Sequence, residues 1–511
     1  MATTWHPVEI EFSASEPKDN PYGNELLEVA VAHPSGVSFT VPGFWDGNDT
    51  FRARFVPSKP GVWTWESTSP DSGMCDSGTI EVDPSTSTRP LHRHGYLQAG
   101  GRVLRHADET PFFWLADTAW TAATRATLEE WERYLDYRND QGYTAVQINA
   151  LRQHDGSQPH DRLPFGEEWD LNRPNHEYFQ HLDEMVRMCH ERGMIPALVV
   201  LWFDYAPGAN LDWGVSDERR HHHTPEQART LGRYLGARYG AYGATWLVSG
   251  DSEFNEECVT AYRAAAEALG DACQYPLRTA HQPGGQSTPT IVNDEPWLDY
   301  HMYQSGHTHD LAVPERQAIE CRLLDPPRPV LNGEPCYAEM NAPSNDQLLE
   351  REVVRAAAWI SVLSGANAGV TYGVLGIWPW HRTGDSFAAA DVWGEPNAWD
   401  ESLTAASGAD YGRLKAIVAS IAHHTLNPRP DVLASSSTGE AAAVGSDAVL
   451  VYLEDGRDIE LRDAPTLAAG TWYDPATGDD EPAELDRDDR TVQIPGPSFT
   501  GDAVFIGRRE A

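Results

Sequence analysis

The sequence predicts a multidomain protein built on a central (β/α)8 TIM barrel, flanked by an N-terminal β-sandwich and a small C-terminal β domain. Three observations predict it. Short apolar runs alternate with helical periodicity through the middle of the chain, strand-like alternation broken by Gly, Pro and Asn precedes them, and short strands return after them. At 511 residues the chain exceeds what one hydrophobic core organises, and domains are expected over 1–88, 89–426 and 427–511.

In the first part, Val8 to Phe12, Leu27 to Val31 and Phe51 to Phe55 alternate apolar and polar residues, as half-buried strands do. The aromatics of Gly43 to Gly47 and Gly61 to Trp65 read as core and turn packing, so no chemistry is assigned to them. The middle part offers eight strands: Phe112 to Ala116, Thr144 to Asn149, Ile195 to Trp202, Thr245 to Gly250, Leu277 to His281, Leu298 to Tyr303, Val330 to Gly333 and Ala368 to Leu375. Helices are expected between them, among them Leu128 to Asn139, His176 to Arg192 and Asp346 to Leu363. No Gly-rich dinucleotide fingerprint follows the first strand, which favours the barrel over an open doubly wound sheet. The last part has strands at Ala448 to Tyr452 and Ala503 to Ile506. Its acidic run, Gly478 to Glu481 and Asp486 to Asp489, reads as a solvated hairpin because the spacing fits no calcium loop.

Composition narrows the function. With 77 acidic against 38 basic residues, the net charge of −39 repels nucleic-acid phosphates. Only Lys18, Lys59 and Lys415 are lysines, and the acids are spread along the chain, a pattern that resembles proteins of salt-loving microbes. Six scattered cysteines without a C-x-x-C pair read as free thiols. No stretch reaches membrane-spanning length, and MATTWHPVEIEF carries no export signal, so the expected location is cytoplasmic.

In a barrel the loops after the strands build the active site, so a carboxylate just past a strand end carries weight. After the fourth strand come Asp251 and Glu253, and after the seventh comes Glu334. Cleavage of a glycosidic bond needs two such groups, one to protonate the leaving oxygen and one to attack the anomeric carbon or activate water. Asp251 and Glu334 are the candidate catalytic pair. Other strand ends supply candidate substrate-binding residues: Asp117, Trp120, Asn149, Trp202, Asp204, His281, His301 and Tyr303, with Trp378 and Trp380 as a sugar platform after the eighth. His221 to His223 are consecutive in a loop and no H-E-x-x-H is present, so neither metal nor cofactor is expected. No G-x-S-x-G elbow supports a serine hydrolase.

At these residues the sequence resembles the apiosidase-like glycoside hydrolases. The stretches Thr110 to Trp120, Gln141 to Gln147, Trp246 to Asp251 and Asn332 to Tyr337 are similar to that family's barrel and catalytic blocks, and Tyr337 joins the substrate-binding candidates. Gly43 to Gly47 and Phe55 to Trp65 resemble an immunoglobulin-like module. Thr471 to Gly478 resembles a module labelled collagen-binding by analogy. The resemblance implies Asp251 as acid/base and Glu334 as nucleophile of a retaining mechanism acting on a plant or microbial oligosaccharide. The lip reads Gly-Asp-Ser-Glu where the wider clan has a glutamate after asparagine, which keeps Glu253 open as proton donor. The alternative from another class is a non-catalytic glycan-binding or adhesive protein on a barrel scaffold.

Overall fold

The computed structural model describes residues 2–23, 26–166, 169–209, 221–463, 465–488 and 490–510. Asp489 of the C-terminal acidic run lies outside them.

Eight parallel strands form the central sheet: β1 (Trp114–Thr118), β2 (Ala145–Asn149), β3 (Ile195–Trp202), β4 (Thr245–Gly250), β5 (Arg278–Thr279), β6 (His301–Gln304), β7 (Val330–Glu334) and β8 (Gly369–Tyr372). Each falls on one of the eight expected runs. The hydrogen-bonded order runs β5-β4-β3-β2-β1-β8-β7-β6, and an isolated parallel bridge from His281 to Met302 joins its two ends, so the sheet curls into a near-complete barrel. The strands read as continuous apolar runs because both faces are covered, one by the barrel interior and one by helices.

Local sequence starts the surrounding helices. In α1 (Leu128–Asp140) Thr127 and Glu130 close a capping box, and Gln227 answers Thr224 in the same way at the start of α3 (Pro225–Tyr239), where Pro225 holds the first position. The Asn255 side chain accepts from Glu257 and Cys258 at the start of α4 (Glu256–Ala272). The remaining major barrel helices are α2 (His176–Glu191), α5 (Ala312–Leu323), α6 (Arg351–Leu363) and α7 (Ala406–Ala419).

Before the barrel lies a seven-stranded, mostly antiparallel sheet with its own apolar cluster of Val29, Val31, Phe51, Phe55 and Trp63. After it comes a C-terminal β domain whose six-stranded and three-stranded sheets enclose Val449, Leu461, Trp472 and Phe505. Both dock through buried ions. Arg54 donates to Asp183 of α2 at 2.8 Å, and Arg238 of α3 reaches Asp46 and Asp183 at 2.6 Å each. On the other side Arg355 of α6 bonds Asp502 at 2.6 Å, and Tyr452 stacks on Trp359. Such pairs fix registry more than they add stability, because desolvation offsets most of the attraction. All six cysteines are free, as expected, with Cys75 exposed and the other five buried. Among the described residues no helix is long and apolar enough to cross a membrane.

Candidate active site

The barrel mouth brings Asp251 and Glu334 together. Asp251 directly follows β4 in a left-handed conformation, φ 48°, that a non-glycine residue adopts only when its surroundings hold it. Gly250 before it has no room for a side chain, since a Cβ there would lie 2.0 Å from the Trp202 ring. Glu334 ends β7. The pairing with β6 jumps from Tyr303–Asn332 to Gln304–Glu334, so Gly333 forms a bulge. Asn332 turns outward to Ser361 of α6 at 3.0 Å, and in a regular strand Glu334 would follow it. The extra residue turns Glu334 inward instead.

His281, just past β5, sits between the two acids. Its Nε2 is 3.1 Å from Glu334 Oε2 and 3.6 Å from Asp251 Oδ1, and one donor atom from each of the three lies within 4.8 Å of the others. His307 reaches Glu334 Oε1 through Nε2 at 3.2 Å, while its Nδ1 accepts the Tyr337 amide, which fixes the proton on Nε2. Glu334 is buried, which by itself raises its pKa, yet the two imidazole donors outweigh that and hold it down at about 2. Asp251 goes the other way: burial, then the charges of Glu334 and Asp155, push its carboxyl well above the usual range. Two buried acids with opposite shifts can serve as a base or nucleophile beside a proton donor. The trio also offers three ligand atoms to a divalent cation.

Around them the barrel mouth is lined by Trp120, Trp202, Tyr337, Met340, Trp378 and Trp393, with Gln153, Asp155 and His307. The indole nitrogens of Trp202 and Trp378 are buried without a hydrogen-bond partner, and so is Asp251 Oδ1. Orphaned polar atoms facing a cavity are what a polyhydroxylated ligand satisfies.

Of the residues expected from strand ends, Asp251, Glu334, His281, Trp120, Trp202, Tyr337 and Trp378 meet here. Others do not. Asp117 faces away from the cavity, bonded to Arg138 at 2.6 Å and Tyr134 at 2.9 Å, because side chains alternate along a strand and its position points to α1. Tyr303 lies on the same outer side, its hydroxyl donating to Pro314 of α5, and His301 bonds Thr288. Asp204 is paired with His154, and Asn149 donates to Gln153, supporting the wall from behind. Trp380 is fully buried, stacked on Trp399 at 4.9 Å with its indole donating to Glu130, so it packs a loop and offers no platform. Glu253 is exposed and off the cavity lining.

Five lining residues escaped the strand-end reading: Gln153, Asp155, His307, Met340 and Trp393. Asp155 and His307 stand only a few residues past Asn149 and Gln304, so a wider search window finds them. Burial raises the Asp155 carboxyl to about 6, and Glu334 adds to the rise.

Solved structures share the eight-stranded parallel barrel. A glycoside hydrolase aligns with TM-score 0.72 and 23% identity over 83% of this chain and 99% of its own. A glycoside hydrolase family 5 structure from Bacteroides vulgatus ATCC 8482 aligns at 0.71 and 23%, covering 83% and 95%. A candidate glycoside hydrolase from the same organism aligns over 99% of both chains at 0.75 and 17%. The family described as apiosidase-like, catalytic domain, matches residues 98–424, and the chain belongs to it. Residues 1–70 match a domain of unknown function, DUF5060. No curated protein matches the chain.

Proposed function

We propose that the protein is a retaining, apiosidase-like O-glycosidase that removes a small terminal sugar from a plant or microbial oligosaccharide. Glu334 attacks the anomeric carbon, and Asp251 protonates the departing oxygen, then deprotonates the water that releases the glycosyl-enzyme. One observation carries this reading: Asp251 and Glu334 approach so closely that one oxygen of each lies within 4.8 Å of the other. Retaining enzymes keep their carboxyl groups about 5–5.5 Å apart, whereas inverting ones need about 6.5–9.5 Å to admit a water. The opposite shifts of the two acids support the division of roles. The lining supports a sugar ligand, with Trp202, Trp378 and Trp393 as faces for a ring and Asp155 available to its hydroxyls.

The flanking parts enter the same proposal as separate modules, residues 1–88 an immunoglobulin-like β-sandwich and 427–511 a small β domain around a catalytic barrel at 89–426. The surface acidity is assigned to life in high salt, where counter-ions screen a net charge of −39. The test is hydrolysis of a panel of aryl glycosides, including apiosides, arabinosides and glucosides, by wild type, Asp251→Asn and Glu334→Gln. Activity of the wild type lost in both variants is the expected result. An inert wild type that still binds glycans would replace the enzyme with a binding protein.

A further inference from the structure

Far from the barrel mouth, three imidazoles meet where the N-terminal sheet joins the barrel. His6 lies between the strands Ala2–Thr3 and Val8–Ser13, His92 in the short helix Pro90–His94, and His190 near the end of α2. Their ring centroids are 4.3 Å (His6–His92), 4.6 Å (His92–His190) and 5.6 Å (His6–His190) apart. One donor nitrogen from each lies within 4.8 Å of the other two. His92 and His190 are buried, and His6 is half-buried.

The hydrogen bonds sort the six ring nitrogens into two sets. His6 Nδ1 is 3.1 Å from the Thr4 carbonyl and 2.9 Å from the Thr3 hydroxyl, His92 Nε2 is 2.8 Å from the His190 carbonyl, and His190 Nδ1 is 3.1 Å from the Tyr242 carbonyl. A carbonyl only accepts, so each of these nitrogens carries the ring proton and donates it. The opposite nitrogens, His6 Nε2, His92 Nδ1 and His190 Nε2, are the acceptors of the three rings; His92 Nδ1 lies 3.3 Å from the Ser87 hydroxyl, which a metal would displace. For His190 that nitrogen is buried and has no hydrogen-bond partner among the described residues. A backbone carbonyl on the far ring nitrogen is the arrangement that fixes the tautomer and orientation of a metal-bound histidine.

We propose that His6, His92 and His190 form a binding site for one divalent transition ion of the zinc class, which ties the N-terminal segment to the barrel. Three neutral imidazoles, completed by one water, match the tetrahedral preference of zinc. Zinc–nitrogen bonds of about 2.0–2.1 Å place tetrahedral donors roughly 3.3 Å apart, so no pair has to close by more than about 1.5 Å. Half-buried His6 has the freedom to supply that movement. Burial, with the neighbouring rings, keeps His92 down at about 4 and His190 well below the ordinary value, so both are neutral and ready to ligate at neutral pH. The positive field of Arg89 acts on His92 as well and opposes a cation, although its guanidinium donates to the Arg192 carbonyl. The proposal is independent of the glycosidase reading.

The experiment uses the full chain stripped with a chelator, titrated with Co²⁺ by visible absorption and with Zn²⁺ by calorimetry and thermal melting. Expected are one Co²⁺ per chain with a tetrahedral d–d spectrum and a rise in Tm with Zn²⁺. Both should vanish in His6→Gln and persist in Glu334→Gln, which disables the other three-ligand cluster at the barrel mouth. His6 is half-buried, so its variant folds even where His92→Gln does not, and far-UV circular dichroism checks this. No binding by wild type overturns the proposal. So does binding that survives His6→Gln, or binding that Glu334→Gln abolishes.

Discussion

Replacing Asp251 by Asn removes the proposed proton donor while keeping the shape of the site, and the expected effect depends on the leaving group. Asp251 is buried, and its proton is retained because the charges of Glu334 and Asp155 add to the cost of ionising it. A positioned general acid contributes about 10²–10⁴-fold, equivalent to about 3–5 kcal/mol of transition-state stabilisation. An alkyl or sugar leaving group needs that proton in full, so its kcat/KM should fall by two to four orders of magnitude. A dinitrophenolate departs unaided and should lose less than about tenfold in its bond-breaking step. The pH profile gives a second readout. Wild-type kcat/KM should fall as pH rises through the elevated Asp251 pKa, and should fall again only in strong acid, where Glu334, held at about 2, takes up its proton. In Asp251→Asn the alkaline limb should disappear. The assay is steady-state hydrolysis of a leaving-group series from about pH 4 to 10, with circular dichroism as a check of folding. A variant that slows every leaving group equally, or that keeps the alkaline limb, would refute the assignment of Asp251 as the acid.

Other consequences can be checked alongside. Asp155→Asn removes one of the charges that raise Asp251 and should move the alkaline limb to lower pH; an unmoved limb would uncouple the two acids. Asp117→Ala strands the buried Arg138 guanidinium and should cost about 3–5 kcal/mol in urea unfolding with little change in KM, whereas a raised KM at full stability would return Asp117 to the binding site. Glu253→Gln should stay within about twofold of wild-type kcat/KM because the side chain is exposed and off the lining, and a hundredfold loss would make it the proton donor. In the chelator-stripped protein, His92 is held neutral by burial, so its contribution to stability is complete above about pH 6.5 and is lost as pH falls toward about 4. Urea midpoints measured across that window should drop more steeply in wild type than in His92→Gln, and parallel curves would refute the account.

What the sequence alone determined is the part governed by local periodicity. Continuous apolar runs bounded by Gly, Pro and capping residues mark strands that are covered on both faces, and all eight barrel strands were legible from them. The same reasoning brought Asp251 and Glu334 forward, since an acid that follows a buried strand stands at the mouth. Which face of the barrel wall a side chain takes was decided only by tertiary structure. Alternation has period two, so one residue of register sends Asp117 to Arg138 and Tyr303 to α5, while a single extra glycine turns Glu334 inward. Long loops were equally illegible: Trp380 and Trp378 are two residues apart, yet one packs against Trp399 and the other lines the cavity. Nor could any local pattern bring His6, His92 and His190 together, because they stand far apart in the chain and meet only where the N-terminal sheet docks against the barrel. Strand existence depends on neighbouring residues, whereas the direction and partners of a side chain depend on contacts between residues far apart in the chain.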